Sequence, residues 1–221
     1  MRGGNKMRFL IVSGGEATDE FVENVIKRGG YDVILAADSG MDFLYRTKIL
    51  PDIIVGDFDS VDPEVLEFFR EHEEIDICAL NPVKDDTDTE FAIRESIRRG
   101  ATEITIIGGT GTRLDHVLGN ISLLGIGLEE NVRMELLDAN NRIRMTDHSV
   151  VLKKKQQYGK YLSLLPYSEK VTGVTLKGVK YLLDNYTMGG FNSLGISNEI
   201  VDEEASIELK SGRLLVIESR D

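Results

Sequence analysis

The feature that most restricts the fold is a change of hydrophobic period near residue 140. From Arg8 to about Leu137, short β-branched runs alternate with stretches whose apolar residues recur at helical spacing, the pattern of a parallel sheet covered by helices. Strands are expected at 8–13, 32–37, 52–56, 75–79, 103–108 and 132–137, and helices at 18–28, 62–72, 86–99 and 113–125. Asp62-Pro63 marks a helix start, an N-cap followed by proline at the first helical position. Beyond Asn140 the helical period gives way to short runs such as 150–152, 161–165, 171–176, 207–209 and 214–217, separated by Gly, Asn and Lys turns. That half reads as an antiparallel β-sandwich. No internal repeat or low-complexity linker intervenes, so the chain divides into domains 1–140 and 141–221.

The expected fold class is therefore α/β: an N-terminal Rossmann-like parallel sheet with helices on both faces, followed by a smaller C-terminal antiparallel β-sandwich domain. At 221 residues with 41% hydrophobic and 29% charged residues, the chain can bury a core without metal or disulfide staples. Its formal net charge of −12 opposes a nucleic-acid backbone, and no basic cluster interleaved with aromatics offsets it, so no nucleic acid is expected as a partner. The single cysteine, Cys78, lies in the apolar run 75–80 and reads as inert core. The run 9–12 is too short for a signal-peptide core, and no stretch is long enough to span a membrane, which points to the cytoplasm.

Four acidic or glycine-rich segments follow expected strands: Ala37-Asp38-Ser39-Gly40, Gly56-Asp57-Phe58-Asp59-Ser60, the segment Lys84-Asp85-Asp86-Thr87-Asp88-Thr89-Glu90, and Gly108-Gly109-Thr110-Gly111-Thr112-Arg113-Leu114-Asp115. In an open α/β sheet such loops share one edge, where ligands bind. If the chain stays extended, Asp57 and Asp59 point the same way. Gathering Asp57, Asp59 and Asp88 without a cation is costly, and oxygen-only ligands favour Mg²⁺ over zinc. Each acidic residue also has a plainer reading. Asp38, Asp59 or Ser60 could cap helices, and Thr87-x-x-Glu90 matches a capping box. The glycine run is neither Gly-x-Gly-x-x-Gly nor a Walker loop. Glycines entering a helix still free backbone N–H groups for anionic oxygens, and Arg113 adds a forked phosphate donor. His116 reads as a helix-surface or packing residue.

Together these segments resemble thiamin pyrophosphokinase, the family that moves a pyrophosphoryl group from ATP to the hydroxyethyl group of thiamin. Thr87-Asp88-Thr89-Glu90, Arg113-Leu114-Asp115-His116, Gly173-Val174-Thr175-Leu176-Lys177-Gly178 and Gly195-Ile196-Ser197-Asn198-Glu199 extend the resemblance over nearly the whole chain. It implies Asp57, Asp59 and Asp88 as Mg²⁺ ligands, which with Arg113 form the catalytic set. Asp38, Ser60, Thr87, Gly109, Arg113 and Asp115 would line the ATP and substrate cleft, and Ser197 and Asn198 would face the thiamin pyrimidine. The resemblance further implies a homodimer with active sites between subunits. Animal and fungal members place a Trp on thiamin, and this chain has none, as in bacterial members. The sheet-edge residues alone leave open another heterocyclic alcohol as acceptor, such as a pterin, or a nucleotide-binding protein without turnover. Which aspartate accepts the hydroxyl proton is likewise open.

Overall fold

The computed structural model describes residues 6–59, 61–80, 86–190 and 192–221. Ser60 and, from the third acidic segment, Lys84 and Asp85 lie outside the described residues. The chain divides into two compact units, Met1–Ala139 and Asn140–Asp221.

The first unit is built on six parallel strands: β1 (Arg8–Val12), β2 (Val33–Ala37), β3 (Ile53–Gly56), β4 (Asp76–Ala79), β5 (Glu103–Ile107) and β6 (Arg133–Leu137). Their order in the sheet is β4-β3-β2-β1-β5-β6. The central strands are buried along most of their length, as β-branched runs without alternation require when both sheet faces are covered. Five helices connect them: α1 (Asp19–Gly29), α2 (Gly40–Thr47), α3 (Pro63–Arg70), α4 (Asp88–Arg98) and α5 (Leu114–Glu130). α1, α2 and α3 pack in series, and α4 packs on α5. The order of strands reverses between β1 and β5. This is the topological switch point, where an open α/β sheet parts its loops into a crevice.

Three local features depart from the sequence expectation. α2 follows directly on Asp38-Ser39 and is not among the expected helices. α5 runs to Glu130, further than expected. Cys78 is not core: β4 is the edge strand of the unit's sheet, and the thiol sits half-buried, 3.8 Å from both Asp76 and Arg99. Burial and the Asp76 charge push that thiol's pKa up, which keeps it protonated and inert.

The second unit packs two antiparallel sheets. One has the order β12 (Asn198–Glu199), β9 (Tyr161–Pro166), β14 (Leu214–Ser219), β7 (Asn141–Thr146), and the other β11 (Leu183–Gly189), β10 (Lys170–Lys177), β13 (Glu204–Glu208), β8 (Val150–Lys153). Leu162, Leu164, Leu214 and Val216 of the first sheet meet Val171, Val174, Leu176 and Ile207 of the second in one core. Along β10, Val174 and Leu176 enter this core at period 2, with a register irregularity separating them from Val171, while β14 is apolar from Leu214 to Ile217 and sends Leu214 and Val216 into the same core.

Candidate active site

The loops after β1, β2 and β5, together with the start of α4, enclose a cleft of about 460 Å³ at the switch point. Glycine lets the loops approach this closely. Gly15 N–H donates to the Gly108 carbonyl at 2.7 Å, and Glu16 N–H donates to the Thr110 carbonyl at 2.8 Å. A Cβ on Gly40 would collide with the Val12 carbonyl, and one on Gly108 with the Ser13 carbonyl. From α5, Asn120 Nδ2 donates to the Gly109 carbonyl at 2.8 Å and pins the glycine run from behind.

Of the sequence candidates, Asp38, Thr87, Asp88, Gly109 and Arg113 line this cleft. Asp57 and Asp59 stand beside it at the end of β3 and reach it electrostatically. Burial raises the Asp88 pKa, and the negative charges of Asp38, Asp57 and Asp59 raise it further. The Asp57 charge and a hydrogen bond with Asp57 raise the Asp59 pKa in the same way. Among the described residues, no Lys or Arg acts on either carboxyl. Asp115 is not a lining residue. It holds Arg113 in a 2.6 Å ion pair, both side chains well exposed, and that guanidinium lowers its pKa to about 2.

Asp57 and Asp59 come together differently from the sequence expectation. The segment is not extended: Phe58 has φ +61°, a left-handed conformation uncommon for a bulky side chain. Asp59 N–H donates to Asp57 Oδ1 at 3.2 Å, closing a tight turn in place of a strand continuation. Backbone strain of this kind concentrates at functional sites. The plainer capping readings also separate. α3 is capped by Asp62, whose carboxylate accepts from Glu64 N–H, so Asp59 is not its cap. α2 has Ser39, and not Asp38, at its N-cap, without a side-chain bond. Thr87 does cap α4, accepting from Glu90 N–H at 3.2 Å. Glu90 turns to Arg94 at 2.7 Å, so only half the capping box forms.

Three residues that sequence reasoning set aside or missed belong to the cleft: Ser13, Asn120 and His116, the last exposed on the first turn of α5. Ser13 carries no motif signal, and Asn120 could be found only by projecting α5 seven residues beyond Arg113, where it returns to the same helical face.

In the second unit, Ser197 is exposed, has φ +58°, and its N–H donates to Ser163 Oγ at 3.0 Å. Asn198 is 7% exposed. Its Oδ1 accepts from the N–H groups of Tyr181 and Glu199 at 3.0 and 2.9 Å, and its Nδ2 donates to the Tyr181 carbonyl at 2.8 Å. The amide is thus a clamp on the Tyr181 backbone, leaving one N–H and little acceptor capacity for any ligand. Tyr181 itself is 61% exposed.

Family comparison covers both units. The model "Thiamin pyrophosphokinase, catalytic domain" matches residues 28–136, and "Thiamin pyrophosphokinase, vitamin B1 binding domain" matches residues 147–214. The chain is 34% identical over 190 residues to a thiamine pyrophosphokinase of Bacillus subtilis (strain 168), covering 85% of this chain and 87% of the relative. A solved thiamine pyrophosphokinase structure from Bacillus subtilis superposes with TM-score 0.86 at 29% identity, covering 97% of this chain and 99% of the other. A solved thiamin pyrophosphokinase family protein from Enterococcus faecalis superposes with TM-score 0.83 at 32% identity, with 97% and 99% covered. A strand-end carboxylate group beside a glycine-walled cleft, together with these matches in both units, establishes that the chain belongs to the thiamin pyrophosphokinase family.

Proposed function

We propose that the protein transfers the pyrophosphoryl group of ATP to the hydroxyethyl oxygen of thiamin, giving thiamin diphosphate and AMP. The observation that carries this reading is the group of aspartates at the rim of a nucleotide-sized cleft, where burial and the charges of Asp38, Asp57 and Asp59 raise the Asp88 pKa and Asp57 raises that of Asp59. Domain 1–140 would bind ATP and Mg²⁺, and domain 141–221 would bind thiamin. The proposed place of action is the cytoplasm; no helix among the described residues is long and apolar enough to cross a membrane.

The donor set fits Mg²⁺, because hard carboxylate groups gather at this edge and, among the described residues, no cationic side chain acts on Asp59 or Asp88. Among the described residues, no three acidic, His or Cys groups form a ready coordination sphere. Mg²⁺ typically takes one or two carboxylates and completes its shell with water and phosphate oxygens. Asp57, Asp59 and Asp88 would hold it, where it would neutralise charge on the phosphoryl oxygens. Asp38, Thr87, Gly109 and Asp115 would position the nucleotide. Arg113 would turn from Asp115 to the phosphates, and one of Asp59 and Asp88 would orient the attacking hydroxyl. The hydroxyl attacks the β-phosphorus and AMP leaves, so donors at the bridging α/β oxygen contribute most. A negative field at this edge also attracts the thiazolium cation.

The decisive assay is AMP formation with ATP, Mg²⁺ and a panel of acceptors. Thiamin-dependent AMP is expected. Pterin-dependent AMP would reassign the acceptor, and nucleotide binding without AMP would make the protein a non-catalytic binder.

Ser197 and Asn198 are the proposed thiamin contacts. Asn198→Ala is expected to raise the KM for thiamin more than that for ATP. It also strips partners from the Tyr181 backbone, which costs about 1–3 kcal/mol of stability for each buried group left unpaired. Separate Michaelis constants and a thermal melt measure the two effects, and a rise confined to ATP refutes the placement.

The active form is proposed as a two-fold dimer whose sites join the first unit of one subunit to the second unit of the other. Asp57→Asn and Asn198→Ala chains, or a harsher change at 198 if that one stays active, are co-expressed so that subunits mix. A shared site gathers both lesions into one site of the heterodimer and leaves the other intact. Random mixing then returns about a quarter of wild-type activity. Confirmed heterodimers with no activity above the separate variants would rule out sharing.

A further inference from the structure

At the end of β1, Ser13 is 3% exposed, and its Oγ lies 3.0 Å from Thr89 Oγ1 on the first turn of α4. Both residues line the cleft. Among the described residues neither hydroxyl makes another hydrogen bond. Two hydroxyls carry two donor protons and their mutual bond uses one, so the pair presents a second proton that needs an acceptor.

The surroundings decide which hydroxyl presents it. Ser13 is enclosed by backbone: its N–H donates to the Ile107 carbonyl at 2.8 Å, and its carbonyl abuts Gly108. Thr89 is less buried and is the second residue of α4, where the positive end of the helix meets the cleft. These surroundings favour the order Ser13 O–H to Thr89 Oγ1, which leaves the Thr89 O–H turned to the cleft. A hydroxyl that accepts one hydrogen bond while donating another is polarised and donates more strongly. Such a donor matches an anionic oxygen, and the glycine N–H groups and Arg113 around it have the same preference.

We propose that Ser13 and Thr89 form a hydroxyl relay for a phosphoryl oxygen of the nucleoside triphosphate, with Thr89 as the contact and Ser13 as the residue that positions and polarises it. The relay rests on the nucleotide reading of the cleft given above. It makes Thr89 a binding residue for the nucleotide and gives the buried Ser13 hydroxyl a task.

The test is calorimetric binding of a non-hydrolysable ATP analogue with Mg²⁺ to the whole protein. Thr89→Val should weaken the analogue about tenfold and Ser13→Ala about threefold, as expected for a bond to a charged acceptor and for loss of its polarising partner. The double variant should bind no worse than Thr89→Val, because Ser13 acts only through Thr89. Thr89→Ser, which keeps the hydroxyl, should bind as the wild type does. Unchanged affinity in Thr89→Val, additive losses in the double variant, or failure of Thr89→Ser to retain affinity overturns the relay while wild-type binding keeps the cleft reading intact. If Thr89→Val does not fold, unchanged affinity in Ser13→Ala overturns the relay by itself. A wild-type protein that does not bind the analogue overturns the cleft reading and the relay together.

Discussion

Asp57→Asn, Asp59→Asn and Asp88→Asn are each expected to lower turnover by about 100-fold or more, with no loss of metal-free stability. Asparagine keeps the shape of aspartate but removes the charge that holds a divalent cation and stabilises the transferring group through it. The stability half of the prediction follows from the electrostatics. The Asp59 pKa is raised by Asp57, and that of Asp88 by burial and by Asp38, Asp57 and Asp59, so each charge opposes its neighbours in the folded state. Removing one relieves the others, and melting in the presence of a chelator should hold or rise. Turnover under saturating ATP and Mg²⁺ and the melt in chelator are measured on the same preparations. Near-normal turnover in all three variants would sink the metal-site assignment. A clear drop in the chelator melt would instead make the substituted aspartate a structural residue.

Gly108→Ala should destabilise the first unit by about 3 kcal/mol or more and abolish nucleotide binding with it. Gly108 has φ +66°, a conformation in which an L side chain costs about 1–2 kcal/mol. The larger part is steric. An added Cβ would run into the Ser13 carbonyl oxygen and come within 2.9 Å of its carbon, and both are backbone atoms. Neither can step aside, because Ser13 N–H is tied to Ile107 and the Gly108 carbonyl is tied to Gly15. The methyl can be accommodated only by parting the β1 and β5 loops, and those loops are the walls of the cleft. Gly100→Ala is the matching control. That residue also has positive φ, at +92°, but nothing lies within 4 Å of the added Cβ, so only the conformational cost remains. Denaturant unfolding of the two variants separates strain from collision. Equal midpoints would mean that the close approach of the loops does not hold the cleft together.

The two regimes of hydrophobic period were plain in the sequence because a period is a local property. Short apolar runs such as 171–176 and 214–217, separated by turn residues, mark strands whose side chains supply a sandwich core. The same holds for the strands of the first unit, whose expected positions agree with the observed ones to within a residue at each end. The acidic segments were legible for a related reason: a strand followed by Asp puts that Asp at the carboxyl edge of the sheet. Family resemblance then named chemistry that the residues alone left open between acceptors.

What the sequence could not decide depended on which loops meet. Ser13 enters the cleft because β5 inserts beside β1, bringing the chain near residue 108 against the chain near residue 13. No local pattern encodes that neighbour. Phe58 takes a left-handed turn, so Asp57 and Asp59 are brought together by a backbone turn in which Asp59 N–H donates to Asp57 Oδ1, and not by strand alternation. Asn198, chosen for the hydrogen bonds its amide could offer a ligand, spends most of them on Tyr181, a partner 17 residues away in sequence. Cys78 lies half-buried because β4 forms an edge of its unit's sheet, although its apolar run is indistinguishable from that of a central strand. Residue type and period specify what a segment can bury. Strand order and backbone turns, set by packing between segments distant in sequence, specify which polar groups are left facing a ligand and which are used up holding the protein together.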